Sequence, residues 1–82
     1  MKIIIEAYGA VISEFDPAEV DSIRVFRNFD IAQAAKSEAP FVTYIRHFDY
    51  PLAKSGRILA VYLHKTATFH LYDPDNCCVT FK

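Results

Sequence analysis

The chain lacks a long hydrophobic run, an excess of either charge, an internal repeat and a cysteine framework. Its longest apolar stretches, "AVI" and "ILAVYL", fall far short of the roughly 20 residues that span a bilayer. The opening "MKIIIEAYG" meets Glu6 early and lacks the apolar length of a signal peptide. A soluble cytoplasmic protein with no membrane contact is expected. Cys77 and Cys78 are adjacent, and neighbouring residues rarely reach disulfide geometry without strain, which suits a reducing compartment. The net charge of −1 supplies no electrostatic drive toward nucleic acid.

What is present is apolar and aromatic. Across 82 residues, 52% are hydrophobic and 15% aromatic, too many for a disordered chain. Residues 1–82 read as one compact domain, small enough that core burial is marginal. So apolar a small chain is expected to leave large side chains at a contact with another protein.

"KIIIEAY" reads as a first strand, with "AVISEF" continuing it past a bulge at Gly9. "DPAE" offers Asp16 as an N-cap and Pro17 at a first helical position, giving a single helical turn. "SIRVFRNF" alternates as a strand, with Ile23, Val25 and Phe29 on one side. "DIAQAAKSEA" is the expected helix, capped by Asp30 and Gln33 and ended by Pro40. At about nine residues it needs a sheet to lean on. "FVTYIRHF" and "GRILAVYLHK" read as strands, and a turn near "KTAT" leads to another, "TFHLYD". "DPDN" predicts a type I turn with a bulge, Asn76 taking the left-handed position. In that hairpin Leu71 faces Val79 and Phe69 faces Phe81, while Tyr72 meets Cys78 and His70 meets Thr80 on the other side. The expected fold is α+β, β-β-α-β-β-β, a mostly antiparallel sheet of about five strands with one short helix on one face.

The chemical residue types cluster in the second half. On one straight strand His64 and His70 would lie about 20 Å apart, and His70 and Cys78 alone are too few for a structural zinc site. The cluster therefore reads as the polar side of a hairpin, with no metal and no cofactor. Cys77, beside the turn, is the candidate reactive thiol, and Cys78 is expected to be half-buried. His47 and Asp49 share a strand face and could form a base, but Ser13, Ser22, Ser37 and Ser55 sit in no nucleophile motif. "KSGR" lacks the glycine spacing of a phosphate loop and reads as a cationic loop touching a partner.

Tyr44, Tyr62 and Tyr72 are expected to share the sheet face opposite the helix with Arg46, His64 and His70. Tyrosine and arginine suit a protein interface, and they also suit stacking on unpaired bases. The expected binding residues are Tyr44, Arg46, Tyr50, Lys54, Arg57, Tyr62, His64, His70 and Tyr72. The function expected is a non-enzymatic protein-interaction module whose partner is another protein, with a homodimer considered. An RNA or single-stranded nucleic-acid binding module is the first alternative, and a metal-binding or small hydrolytic enzyme the second. In length and element order the chain resembles small phage-encoded inhibitors of bacterial defence, including some anti-CRISPR proteins that place one helix on a sheet. That resemblance implies an inhibitor of a bacterial protein complex and transfers no residue roles.

Overall fold

The β-branched run "IIIEA" forms β1 (Ile3–Ala7), and the chain then reverses within two residues. Tyr8 and Gly9 both have positive φ, 54° and 76°, the pattern of a type I′ turn whose twist matches that of its flanking strands. β2 (Ala10–Phe15) therefore pairs antiparallel with β1, Ala7 opposite Ala10 and Ile3 opposite Phe15. This corrects the expected continuous strand: a hairpin stands where a bulge at Gly9 was read. The register shift lies further along, between Ile5 and Glu6, where Ile12 is the extra residue.

The computed structural model describes residues 1–27, 42–47 and 56–82. "DPAE" closes a single turn, as expected. The Asp16 carboxylate accepts the Ala18 N–H at 3.1 Å, and its carbonyl accepts the Glu19 N–H at 2.9 Å. β3 (Val20–Arg27) follows, then β4 (Thr43–Arg46), β5 (Arg57–Leu63), β6 (Thr68–Tyr72) and β7 (Cys77–Phe81). β5 pairs antiparallel with β3 and with β6, and the anticipated turn near "KTAT" joins β5 to β6. β4 lies parallel to β6, with Thr43 opposite Thr68 and Arg46 opposite Leu71.

The turn at "DPDN" forms, yet it does not make the expected hairpin. The Asp73 carbonyl accepts the N–H groups of Asn76 and Cys77 at 3.2 and 3.0 Å, and its carboxylate accepts the Asp75 N–H at 2.9 Å. Left-handed non-glycine residues among those described are Tyr8 and Ala67, so Asn76 does not take that role. Beyond the turn the chain leaves one sheet for the other. β7 pairs with β1, placing Val79 opposite Ile5 and Phe81 opposite Ile3, rather than opposite Leu71 and Phe69.

Two sheets result, β2-β1-β7 and β3-β5-β6-β4. Among the described residues the expected α+β plan with one sheet of about five strands is thus replaced by seven strands in two sheets and no helix. Two local events cause the change: the Tyr8–Gly9 reversal and the crossing at Asp73. The expected helix over residues 30–39 lies outside the described residues, as do Phe29, Asp49, Tyr50 and Lys54. No helix long and apolar enough to cross a membrane is present among the described residues.

Ile3, Ile5 and Phe15 from the three-stranded sheet meet Leu59, Val61 and Tyr72 from the other, forming the core between the sheets. On its far face the four-stranded sheet buries a second cluster of Ile58, Ala60, Tyr62, Phe69 and Leu71, flanked by Phe26 and Val42. β5 is buried on both faces, which is why "ILAVYL" carries no alternating polar residue. The outer face of the three-stranded sheet is charged instead. Lys2 pairs with Glu14 at 3.5 Å and Lys82 with Glu6 at 3.6 Å. Ile5 is fully buried between the sheets, so Ile5→Ala should cost about 2–5 kcal/mol in urea unfolding. Val25, half-exposed on β3, should change stability by no more than about 0.5 kcal/mol when cut to Ala.

Candidate functional site

The parallel ladder of β4 on β6 sets the side chains of one end of the core. In β6, Thr68, His70 and Tyr72 face one way and Phe69 and Leu71 the other, by strand alternation. The same alternation in β4 puts Thr43 over Thr68 and extends to His47, whose N–H donates to the Leu71 carbonyl at 2.9 Å. The His47 ring lands on Tyr72, with centroids 4.6 Å apart and planes 5° apart. His47 Nε2 lies 3.1 Å from His70 Nδ1. Phe15, from the opposite sheet, meets the His70 ring edge-on at 5.0 Å.

One imidazole of this pair must donate and the other accept, so the bond holds at most one shared proton. Burial holds the His47 pKa below its ordinary value. Burial and then the charge of His47 do the same for His70. Tyr72 is fully buried, and its hydroxyl makes no hydrogen bond of good geometry among the described residues. Burial pushes its pKa up to about 12, tempered by the Ser13 side chain across the interface and raised further by Cys77. The phenol therefore stays protonated and is not a base.

A pocket of about 340 Å³ opens beside His47, lined with it by Ala7, Tyr8, Ile12, Asp73, Asn76 and Cys77. Its walls come from the tip of the first hairpin, the end of β4 and the turn into β7. Tyr8 is 85% exposed at its rim, with Val11 and Ile12 also exposed on β2. The Asp73 carboxylate is held within its own turn by Asn76 Nδ2 at 2.6 Å.

No family model, curated protein or solved structure matches the chain. The site stands on its geometry alone.

The expected binding residues are divided by the fold. His70 and Tyr72 come together in the core with His47. Tyr44 and Tyr62 lie on the other face, both stacked or tilted against Phe69 at 5.9 and 4.7 Å. The expected common face of Tyr44, Tyr62 and Tyr72 is therefore corrected, because Tyr72 lies an odd number of residues from Phe69 on β6. Tyr62 and Tyr72 are buried, while Tyr44, Arg46, Arg57 and His64 are exposed. His64 sits in the turn after β5, away from the His47–His70 pair. Tyr50 and Lys54 lie outside the described residues.

The cysteines exchange their expected roles. Pairing of β7 with β1 turns Cys77 toward the core, where burial pushes its thiol pKa up, opposed by a hydrogen bond with the Asp73 backbone and supported by the charges of Asp73 and Cys78. Cys78 is exposed opposite Glu6, and both thiols are free. No group of three or more His, Cys, Asp or Glu placed to hold a metal ion occurs among the described residues. Sequence reasoning missed Tyr8, Ile12, Ser13 and Phe15 because all four enter through the first hairpin, which read as one strand. It singled out His47 but paired it with Asp49 rather than with His70, since the parallel ladder was not legible.

The histidine pair makes stability depend on pH. Both groups take up a proton more readily in the unfolded chain, so their contribution is complete above the ordinary histidine value of about 6.5 and is lost as pH falls below it. The thermal midpoint should drop between about pH 7.5 and about pH 5, and His70→Phe should flatten that drop. Equal pH profiles for the two proteins would contradict the pairing.

Proposed function

We propose that the protein is a non-enzymatic protein-binding module that grips its partner with the tip of the first hairpin and the pocket beneath it. The observation that carries this reading is Tyr8. A tyrosine at φ 54° occupies a position where Asn, Asp or Gly is favoured, and it stands 85% exposed, gaining nothing from burial. Such an outlier costs stability and points to a use at the surface. With Ile12 it forms the apolar side of a pocket sized for a partner's side chain, the arrangement of an interface anchor and its socket.

Two observations favour binding over chemistry at this site. The His47 Nε2 and His70 Nδ1 atoms satisfy each other, and the Cys77 thiol is pushed toward its protonated form. Neither serves as an activated nucleophile with its base. A nucleic-acid platform is less favoured because the Tyr62 and Tyr72 rings are buried and the charge balance gives no electrostatic drive. The narrower idea of a defence inhibitor rested on length and on an element order that the two-sheet fold replaces, so the proposal stops at protein binding.

Tyr8→Asn separates the two costs. The variant should be more stable than the parent by roughly 0.5–1 kcal/mol, since asparagine tolerates the left-handed turn. It should also lose the partner that the parent retains at stoichiometric level in quantitative affinity capture. If both baits retain the same proteins in the same amounts, the hairpin tip is not the binding surface.

A further inference from the structure

The edges of the two sheets are treated unequally. An edge strand exposes unpaired N–H and C=O groups, and proteins usually blunt it with charge, proline, a bulge or shortness. β2 carries the Ile12 bulge and Glu14. β3 has an irregularity between Val20 and Ser22, with Asp21, Arg24 and Arg27 along it. β4 is four residues long and ends in Arg46. β7 is the least guarded: "CCVTF" holds no charge and no proline, its ladder to β1 runs over five residues without a shift, and charge enters only at Lys82 beyond its end.

The hydrogen-bonding phase of β7 is also defined. Lys2 and Lys82 exchange both backbone hydrogen bonds. Alternation along an antiparallel ladder then turns the backbone groups of Thr80 and Cys78 toward β1, and those of Val79 and Phe81 away from it. Among the described residues β7 has β1 as its one sheet neighbour, so these outward groups meet no described strand. Phe81 is 59% exposed on the same edge.

We propose that β7 is a self-association edge, pairing antiparallel with β7 of a second copy about a two-fold axis at Val79. The two three-stranded sheets would become one sheet of six. In this register Val79 faces Val79 of the second copy, Cys77 faces Phe81, and Cys78 faces Thr80. All five residues of the strand are matched: the two Val79 residues would exchange both backbone hydrogen bonds, and the Phe81 N–H would meet the Cys77 carbonyl of the second copy, while the Cys77 N–H stays on the Asp73 carbonyl of its own turn. Charge selects the orientation. Antiparallel pairing brings Lys82 beside the turn of the second copy that holds Asp73 and Asp75, whereas parallel pairing would set the two lysines together. The surface is separate from the Tyr8 hairpin tip and does not depend on it.

Sedimentation equilibrium of the full chain should give twice its 9.4 kDa mass. Phe81→Lys charges the edge without touching a fully buried side chain, so it should return a single-chain mass with an unchanged circular dichroism spectrum. Thr80→Cys supplies a second measurement. Its thiol would face Cys78 of the second copy in a non-hydrogen-bonded pair, about 4.5 Å between Cα atoms and within disulfide range. Mild oxidation should therefore give a covalent dimer that a reductant reverses. A parent chain that stays monomeric at all concentrations, a Phe81→Lys protein that stays dimeric, or a Thr80→Cys protein that gives no covalent dimer would each overturn the proposal.

Discussion

The crossing of the chain from one sheet to the other at Asp73 is the constraint on which the rest depends. β6 and β7 are consecutive strands joined by a tight turn, yet they lie in different sheets. The Asp73 carbonyl closes that turn while its carboxylate holds Asp75 and Asn76. Because β7 docks on β1 and β6 on β5, the turn pins the two sheets together at one end. Ile3, Ile5 and Phe15 are thereby held against Leu59, Val61 and Tyr72. For a small domain this is an efficient use of few residues, since the shared core draws on both sheets.

The same crossing explains why polar rings enter the core. Strand alternation that buries Tyr72 also turns His70 inward, and the parallel β4 ladder brings His47 over both. The two imidazoles satisfy each other and leave the Tyr72 hydroxyl as a buried group without a good partner among the described residues. The Ser13 side chain across the interface offsets only part of the cost of burying it. The end of the core that tolerates this cost is the end where the pocket opens and Tyr8 stands in a strained turn. Local compromises thus gather around one surface, which is where binding is proposed.

Much of the local structure was legible in the sequence, and the pairing of strands was not. "GRILAVYLHK" forms a strand as expected, with Leu59, Val61 and Leu63 on one face and Ala60 and Tyr62 on the other, and the turns at "DPAE" and "KTAT" form too. "DPDN" announced its turn through Asp73 and Pro74, but turn chemistry is the same for a hairpin and for a corner between sheets. The proposed register matched apolar with apolar, and the observed pairing of Val79 with Ile5 does so equally well. The Tyr8–Gly9 reversal was hidden because tyrosine is a poor signal for a type I′ turn. Once that hairpin was missed, Ser13, Phe15 and Tyr8 could not be placed at the site. His70 and Tyr72 were singled out correctly as neighbours on one strand face, while Tyr44 and Tyr62 were assigned to that face on registers the sequence does not contain.

The crossing at Asp73 is open to a direct measurement by solution NMR. Val79 and Ile5 form a non-hydrogen-bonded antiparallel pair, as do Phe81 and Ile3, so their Hα atoms should give strong cross-strand Overhauser contacts. Those two contacts, with none between Val79 and Leu71, are the predicted result. A Val79–Leu71 contact in their place would return β7 to a hairpin with β6 and contradict the two-sheet account.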